Sequence, residues 1–271
     1  MSTFCEPNQN IRGYEPGAID AKGCVTTDIV IADLGVPLQA LIDSQYVDSQ
    51  AMSQRPGMIL KYLPYLYDGI TGKLLTGGLY LFDTYENAKD YVRWASEEFE
   101  VGEPKVKFTA QPMFRSFTSQ VWKVIGAHSF APVEEHAVGR LQTWSCSEPD
   151  AELKLQSLYA KVKSAAESGN AASVWLLYDP GTKKVGLQLA FRKQGVAEPA
   201  AAARDLRDAG WTALGDALSQ QLHLKPLFDR TSVLLTLWLP RSRAAGGSEL
   251  AIPYYPVVPD ISYEYFRGAT H

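Results

Sequence analysis

A strand–turn–strand pattern that occurs twice is the feature that most constrains the fold of this chain. Residues 65–82 read YLYDGITGKLLTGGLYLF, and residues 176–191 read LLYDPGTKKVGLQLAF. Each copy places Leu-Tyr-Asp before a glycine-containing turn, and each carries a glycine, a leucine and a terminal phenylalanine on the return strand. Self-similarity of this kind, embedded in two equal orders of elements, indicates an internal duplication.

The elements predicted around each copy follow the order strand, helix, strand, strand, helix, strand. In the first half, Leu38, Leu41, Ile42 and Tyr46 have helical spacing, and Thr84 can cap the second helix. In the second half, the predicted strands are 138–145, 173–178, 185–191 and 233–239, and the predicted helices are 150–169 and 200–222. This order is the ferredoxin-like motif. We therefore predict an α+β fold in which two tandem ferredoxin-like βαββαβ units pair antiparallel sheets into an α+β barrel, with the sheets face to face around a shared pocket.

Four segments follow from this prediction. An N-terminal arm covers residues 1–22, the first ferredoxin-like unit 23–132, the second unit 137–240, and a C-terminal strap 241–271. The strap is rich in proline and tyrosine, which disfavours a regular helix but makes the segment too apolar to stay solvated. We expect it to cover the rim of the barrel, to dock on a neighbouring subunit of a dimer, or to pack on the outer helices.

Composition excludes several functional classes. The chain has 271 residues, a net charge of −4 and no dense Lys/Arg run, so nucleic-acid binding is not expected. No apolar run approaches the ~20 residues that span a bilayer, so we expect no membrane segment. The three cysteines are odd in number and lack metal-ligand spacing, which indicates a reduced, cytoplasmic protein without a metal. Nucleotide-binding and serine-hydrolase motifs are also lacking.

The segment from Arg55 to Val92 resembles the monooxygenase branch of the dimeric α+β barrel superfamily. The matching features are Pro56-Gly57 at a strand start, the run Gly77-Gly78-Leu79-Tyr80-Leu81-Phe82, and a helix that opens with Glu86-Asn87-Ala88. The resemblance covers about residues 24–130. It implies the ferredoxin-like barrel, but this superfamily also includes isomerases, dehydratases, haem-dependent enzymes and stress proteins, and fold alone does not determine function.

Strand alternation selects the candidate site residues. On the strand that ends the first unit, alternation places Trp122, His128 and Phe130 on one face, where they would line an aromatic pocket. His128 is the candidate general base, because its ordinary pKa lies near neutrality. Tyr62 and Trp144 are further candidate lining residues, and Arg140 is a candidate catalytic partner for an anion. The role of His136, between the units, is left open.

These residues predict a cofactor-independent oxygenase that acts on an aromatic or polyketide-like small molecule in an apolar barrel pocket, with O₂ as the expected co-substrate. A cofactor-free lyase or isomerase would use the same proton abstraction. A haem-binding enzyme, with His128 as axial ligand, and a non-catalytic ligand-binding or stress protein are the remaining alternatives. We expect no cofactor, with haem as the alternative, and leave a homodimer open.

Overall fold

The fold is taken from a computed structural model that describes residues 16–31, 38–68, 73–131, 133, 137–192 and 212–238. The first half contains β1 (Gly17–Ala18), β2 (Gly23–Ile31), α1 (Leu38–Ser53), β3 (Met58–Asp68), β4 (Lys73–Phe82), α2 (Tyr85–Glu97), β5 (Glu100–Val101), β6 (Val106–Lys107), a 3-10 turn (Phe108–Ala110) and β7 (Phe114–Ser129). The second half contains β8 (Ala137–Ser145), α3 (Ala151–Ser168), β9 (Ala171–Asp179), β10 (Lys184–Phe191), α4 (Thr212–Leu222) and β11 (Lys225–Trp238). The predicted strap and His136 lie outside the described residues.

Each half contributes four antiparallel strands in the same spatial order. The first half is ordered β7-β2-β4-β3, and the second is ordered β11-β8-β10-β9. In both cases the fourth strand along the chain lies beside the first, and the second strand lies at the far edge. This is the strand order of the ferredoxin-like motif, and its repetition confirms the predicted fold class.

The two sheets join at both edges. Strand β3 pairs with β11, and β7 pairs with β9, so that eight strands close into a barrel, and β1 pairs with the last residues of β7. We expected the two sheets to pack face to face. The structure differs because each unit leaves the edges of its second and fourth strands unpaired, and the other unit satisfies both with hydrogen bonds.

The repeated sequence pattern forms corresponding hairpins in the two units. Asp68 pairs with Lys73 at the tip of the first hairpin, and Asp179 pairs with Lys184 at the tip of the second. The hairpins therefore begin and end at the same positions of the pattern. In the second turn, Asp179 accepts a hydrogen bond of 2.8 Å from the backbone nitrogen of Gly181.

Helix α2 follows the sequence prediction closely. Thr84 caps it, because its hydroxyl oxygen accepts a hydrogen bond of 3.1 Å from the backbone nitrogen of Asn87. Ala88, Tyr91 and Ala95 form its buried face. On α3, the residues Leu155, Val162 and Ala166 are buried, whereas Leu153 is exposed. No helix among the described residues is long and apolar enough to cross a membrane.

Three apolar clusters result from this arrangement. One lies between the first sheet and helices α1 and α2, a second lies inside the barrel, and a third lies between the second sheet and helices α3 and α4. The cluster inside the barrel combines residues of both units, including Tyr62, Trp122 and Trp175. The barrel interior is therefore the core through which the two units stabilise each other.

A hydrogen bond across the barrel provides a test of this shared core. The hydroxyl groups of Tyr62, on β3, and Ser173, on β9, lie 2.9 Å apart, and both side chains are buried. We expect Tyr62→Phe and Ser173→Ala each to lower the free energy of unfolding by about 1–2 kcal/mol. Because each single change already breaks the bond, the double variant should lose about 1 kcal/mol less than the sum. Urea unfolding measures all four proteins.

The control pair combines Tyr62→Phe with Ser157→Ala, a serine on the exposed surface of α3 whose change should add to that of Tyr62→Phe. Strict additivity for Tyr62 and Ser173 as well would show that the two strands do not meet as described.

Candidate active site

Tyr62 and Trp122, two of the predicted pocket residues, both lie inside the barrel, where they are part of a packed core. The Tyr62 ring stacks on that of Trp175 with 4.8 Å between centroids, and the Trp122 indole nitrogen donates a hydrogen bond of 3.0 Å to the Thr26 hydroxyl. Tyr62 is 0% exposed and Trp122 is 2% exposed. An eight-stranded barrel has an interior just wide enough for side chains to fill. The pocket that we expected between the sheets is therefore occupied by aromatic side chains.

His128 and Phe130 lie on the opposite face of the sheet from Trp122. A β-bulge between Val124 and Gly126 places one extra residue in β7, so the side chains beyond it exchange faces. The prediction that Trp122, His128 and Phe130 share a face is wrong for this reason. The rings of His128 and Phe130 lie 4.8 Å apart on the α3 side. Partial burial and then the charge of Lys163 lower the pKa of His128, against the opposing charge of Glu167.

Arg140 and Trp144 lie on the outer face of the second sheet, beneath α4. The Arg140 guanidinium donates to both carboxylate oxygens of Asp229, over 2.8 Å from Nε and 2.5 Å from Nη2. Trp144 packs close to Gly215 of α4. The six predicted site residues thus lie in three separate regions of the structure, and Arg140 already has a carboxylate partner.

A cavity lies instead on the outer face of the first sheet, between that sheet, helix α1 and the segment that precedes β7. Its closed volume is about 20 Å³, and together with the adjoining space that is open to solvent it spans about 410 Å³. Its apolar lining includes Ile29, Leu41, Met52, Leu63, Phe108, Met113 and Phe114, and its polar lining includes Ser44, Gln45, Asp48, Lys61, Tyr80 and Gln111. A mostly apolar pocket with a few polar groups is the usual form of a small-molecule site.

The paired glycines of β4 shape the floor of this cavity. A Cβ atom on Gly77 would lie 1.8 Å from the backbone oxygen of Thr27, so glycine lets β4 approach β2 at this point. A Cβ atom on Gly78 would lie 2.2 Å from the ring of Tyr80. The missing side chain therefore leaves room for the Tyr80 ring, which lines the cavity beside Lys61.

Lys61 is the most unusual side chain of the cavity. It lies in the middle of β3 and is only 3% exposed. Its Nζ atom lies 3.6 Å from the sulfur of Met52 and 5.2 Å from the centroid of the Tyr80 ring. Lysine is almost never fully buried without a partner, and here the carboxylate of Asp48, on α1, interacts electrostatically with it.

Burial changes the protonation of both members of this pair. Loss of solvation lowers the pKa of Lys61 to about 7, against the opposing charge of Asp48. Burial likewise raises the pKa of Asp48 to about 6, against the opposing charge of Lys61. Near neutral pH the cavity therefore contains an amine that can accept a proton and a carboxyl group that can exchange one. Two ionisable groups whose pKa values are shifted toward neutrality in one cleft make this cavity a candidate active site.

The remaining polar groups extend this arrangement around the cavity. The Tyr80 hydroxyl donates to the Met52 sulfur over 3.7 Å, and the Tyr65 hydroxyl donates to the side-chain oxygen of Gln45. Burial raises the pKa of Tyr80 to about 12, so this phenol stays neutral and can donate a hydrogen bond. The site can thus transfer protons and orient a ligand that carries oxygen atoms.

Sequence reasoning missed Lys61, although the signal was present. The alternation of β3 places Lys61 on the same face as Leu63 and Tyr65, which are both buried. A single charged residue in the buried face of an apolar strand must be paired or have a shifted pKa. Asp48 carried no comparable signal, because its closeness to Lys61 depends on how α1 packs over the sheet.

Metal ligands are not clustered in the described part of the chain: no group of three or more His, Cys, Asp or Glu side chains lies together there. His128, which we considered as an axial haem ligand, faces α3 rather than the cavity. The described residues of the cavity are suited to an organic ligand.

No protein-family model and no curated protein sequence matches the chain. Among solved structures, an anthrone oxidase-like protein has a TM-score of 0.50 at 12% identity, covering 83% of this chain and 96% of its own. A candidate monooxygenase from Fusobacterium nucleatum has a TM-score of 0.49 at 10% identity, covering 81% and 95%. A chlorite dismutase from Candidatus Nitrospira defluvii has a TM-score of 0.44 at 11% identity, covering 80% and 92%.

The strand order and the first of these similarities show the fold of the chain. It consists of two ferredoxin-like units, as its sequence predicted. Here both units lie in one chain. At such low identity the similarity extends to the fold alone.

The expectation that the protein needs no cofactor, with haem as the alternative, requires correction. Chlorite dismutases are haem-binding enzymes, and several are among the similar structures. The fold that suggested an enzyme without a cofactor is therefore shared with enzymes that use one. The expectation is withdrawn, because the fold gives no support for the absence of a cofactor.

The shifted pKa of Lys61 predicts a pH-dependent stability. Between pH 7 and about 10 the unfolded chain binds a proton on Lys61 that the folded protein does not. Wild type should therefore gain stability relative to Lys61→Met as pH rises through this window, by at most ~1.4 kcal/mol per pH unit. Urea unfolding at pH 7 and pH 9 measures the difference.

Lys89→Met, which removes an exposed lysine on α2, is the matched control. Its difference from wild type should stay nearly constant between the two pH values. A constant difference for Lys61→Met as well would contradict the lowered pKa of Lys61.

Proposed function

We propose that this protein is a monooxygenase-type enzyme that oxidises a small, weakly acidic aromatic molecule in the cavity beneath α1. The observation that carries the proposal is that the buried Lys61 and the partly buried Asp48, which interact electrostatically, line the same cavity. The fold shared with an anthrone oxidase-like protein, and the resemblance of residues 24–130 to monooxygenases, support the choice of reaction.

The first chemical step is removal of a proton from the substrate. The neutral amine of Lys61 is the base, and the low-polarity walls of the cavity favour transfer to an amine over formation of separated charges. For a substrate with an acidic methylene group, the overall reaction consumes one O₂. One oxygen atom replaces the two hydrogens as a carbonyl, and the other leaves as water with those hydrogens. Lys61 returns the proton that it took when water departs.

The cavity also explains the preference for an aromatic substrate. Phe108, Phe114 and Met113 supply a polarisable apolar wall, and Gln45 and Tyr80 supply polar groups that can orient oxygen atoms. An electron-rich anion would form between mostly apolar walls, where the ammonium group of Lys61, once protonated, can stabilise it.

Oxygen uptake tests the proposal. Purified protein is incubated with anthrone, a naphthohydroquinone and a simple phenol, and O₂ consumption and products are followed. We expect uptake with at least one of these compounds, and a loss of ~10²–10⁴-fold in kcat/KM for Lys61→Met. The rate should rise with pH through about 7, where the Lys61 amine becomes neutral. Lys89→Met should retain the wild-type rate.

Two results would contradict the proposal. If Lys61→Met oxidises a substrate as fast as wild type does, the amine is not the base. If the compounds are converted equally well without O₂, the same proton abstraction serves an isomerase or a lyase. The anaerobic incubation distinguishes this second candidate, which the acid–base pair also supports.

A further inference from the structure

The position of Lys61 gives its amine a second chemical capability besides that of a base. The Nζ atom lies among atoms of the cavity wall, close to the Met52 sulfur and above the Tyr80 ring. Burial in apolar surroundings is the usual way in which proteins make a lysine nucleophilic toward carbonyl groups. A ligand in the cavity would meet this amine directly.

Asp48 supplies the other group that such chemistry needs. Condensation of an amine with a carbonyl passes through a carbinolamine, which must lose water with the help of a proton donor. Asp48 lines the same cavity and lies close enough to Lys61 to affect its charge. A carboxyl group with a raised pKa can donate the proton that the departing hydroxide requires and can then accept another.

We infer that Lys61 condenses with the carbonyl group of the ligand, and that the natural ligand is a small aromatic ketone or β-dicarbonyl compound. The inference rests on the proposed function, because it names the substrate class for the same site. The amine nitrogen forms a bond to the carbonyl carbon, the carbon–oxygen bond breaks, and the oxygen leaves as water. The products are an imine, or its enamine tautomer, and one water molecule.

This step would serve the proposed reaction. A protonated imine withdraws electrons from the neighbouring carbon more strongly than a ketone does, so the adjacent C–H becomes more acidic. When the ligand is a ketone, the condensed Lys61 cannot be the base of the proposed reaction, and Asp48 takes over that role by accepting the proton from this carbon. The walls formed by Leu41, Phe108 and Phe114 favour an aryl group beside the carbonyl.

Benzoylacetone, an aryl 1,3-diketone, is the probe for this inference. Its adduct with an amine is a conjugated enaminone, which absorbs in the near ultraviolet and needs no reducing agent to persist. We expect wild-type protein at pH 7.5 to gain the mass of one diketone less one water, and peptide mapping to locate the adduct at Lys61. Exposed lysines, which are ordinarily protonated at this pH, should remain unmodified at the same probe concentration.

The variants make the assignment specific. Lys61→Met should lose the adduct and its absorbance, whereas Lys89→Met should form it as wild type does. Asp48→Asn should slow adduct formation by ~10-fold or more, because the proton donor is removed. Mapping of wild-type protein needs no variant, so the inference can be tested even if Lys61→Met does not fold.

The outcomes separate this inference from the proposed function. An adduct at Lys61 without oxygen uptake by any substrate would support the inference and contradict the oxidation. Oxygen uptake that depends on Lys61, without any adduct at Lys61, would overturn the inference and leave the amine as a base. Modification spread over exposed lysines would also overturn the inference.

Discussion

Closure of the barrel by hydrogen bonds between the two units is the constraint on which the rest of the structure depends. The pairings of β3 with β11 and of β7 with β9 leave no open edge between the sheets. They also bring the inner faces of both sheets so close that Tyr62, Trp122 and Trp175 fill the space between them. Because the interior is then a core, a ligand site has to form on the outer faces, between a sheet and its helices.

The cavity of the first unit contains a buried lysine that can take part in chemistry but lowers the stability of the fold. A lysine in the buried face of a strand loses its solvation, and Asp48 compensates only in part, as the lowered pKa of Lys61 shows. An apolar residue at this position would pack without that penalty. A destabilising group that a well-packed barrel can tolerate is typical of functional sites. The corresponding outer face of the second unit holds Arg140 in an ion pair with Asp229 instead.

Much of the fold could be predicted from the sequence because the relevant signals are local. The repeated Leu-Tyr-Asp turn, the Thr84 cap and the apolar stripe of α2 each depend on neighbouring residues. The faces of the strands were harder to predict, because one extra residue in β7, between Val124 and Gly126, moves His128 to the other side. Periodicity contains no information about such a bulge, which is determined by the pairing with β9.

Part of the candidate site could be predicted from the sequence. The lysine in β3 stands out among buried residues, whereas its partner Asp48 is one of several polar residues on α1, and only the packing of that helix identifies it. The hydrogen bonds between the edge strands of the two units also depend on long-range contacts. The sequence did not reveal them, and the pocket was therefore expected inside the barrel. A duplicated ferredoxin-like unit can be recognised from its pattern, but the way in which two units close is a property of the folded chain.

The central claim is that Lys61 is a buried amine that titrates near neutrality. Protein labelled with ¹³C and ¹⁵N at lysine allows the Cε and Nζ resonances to be followed by NMR from pH 5 to pH 11. One lysine, whose signals disappear in Lys61→Met, should titrate near pH 7, while exposed lysines titrate near 10.4, as is usual. If the resonances of Lys61 titrate with those of the exposed lysines, the amine is protonated at neutral pH, and neither the base nor the nucleophile assigned to this cavity exists.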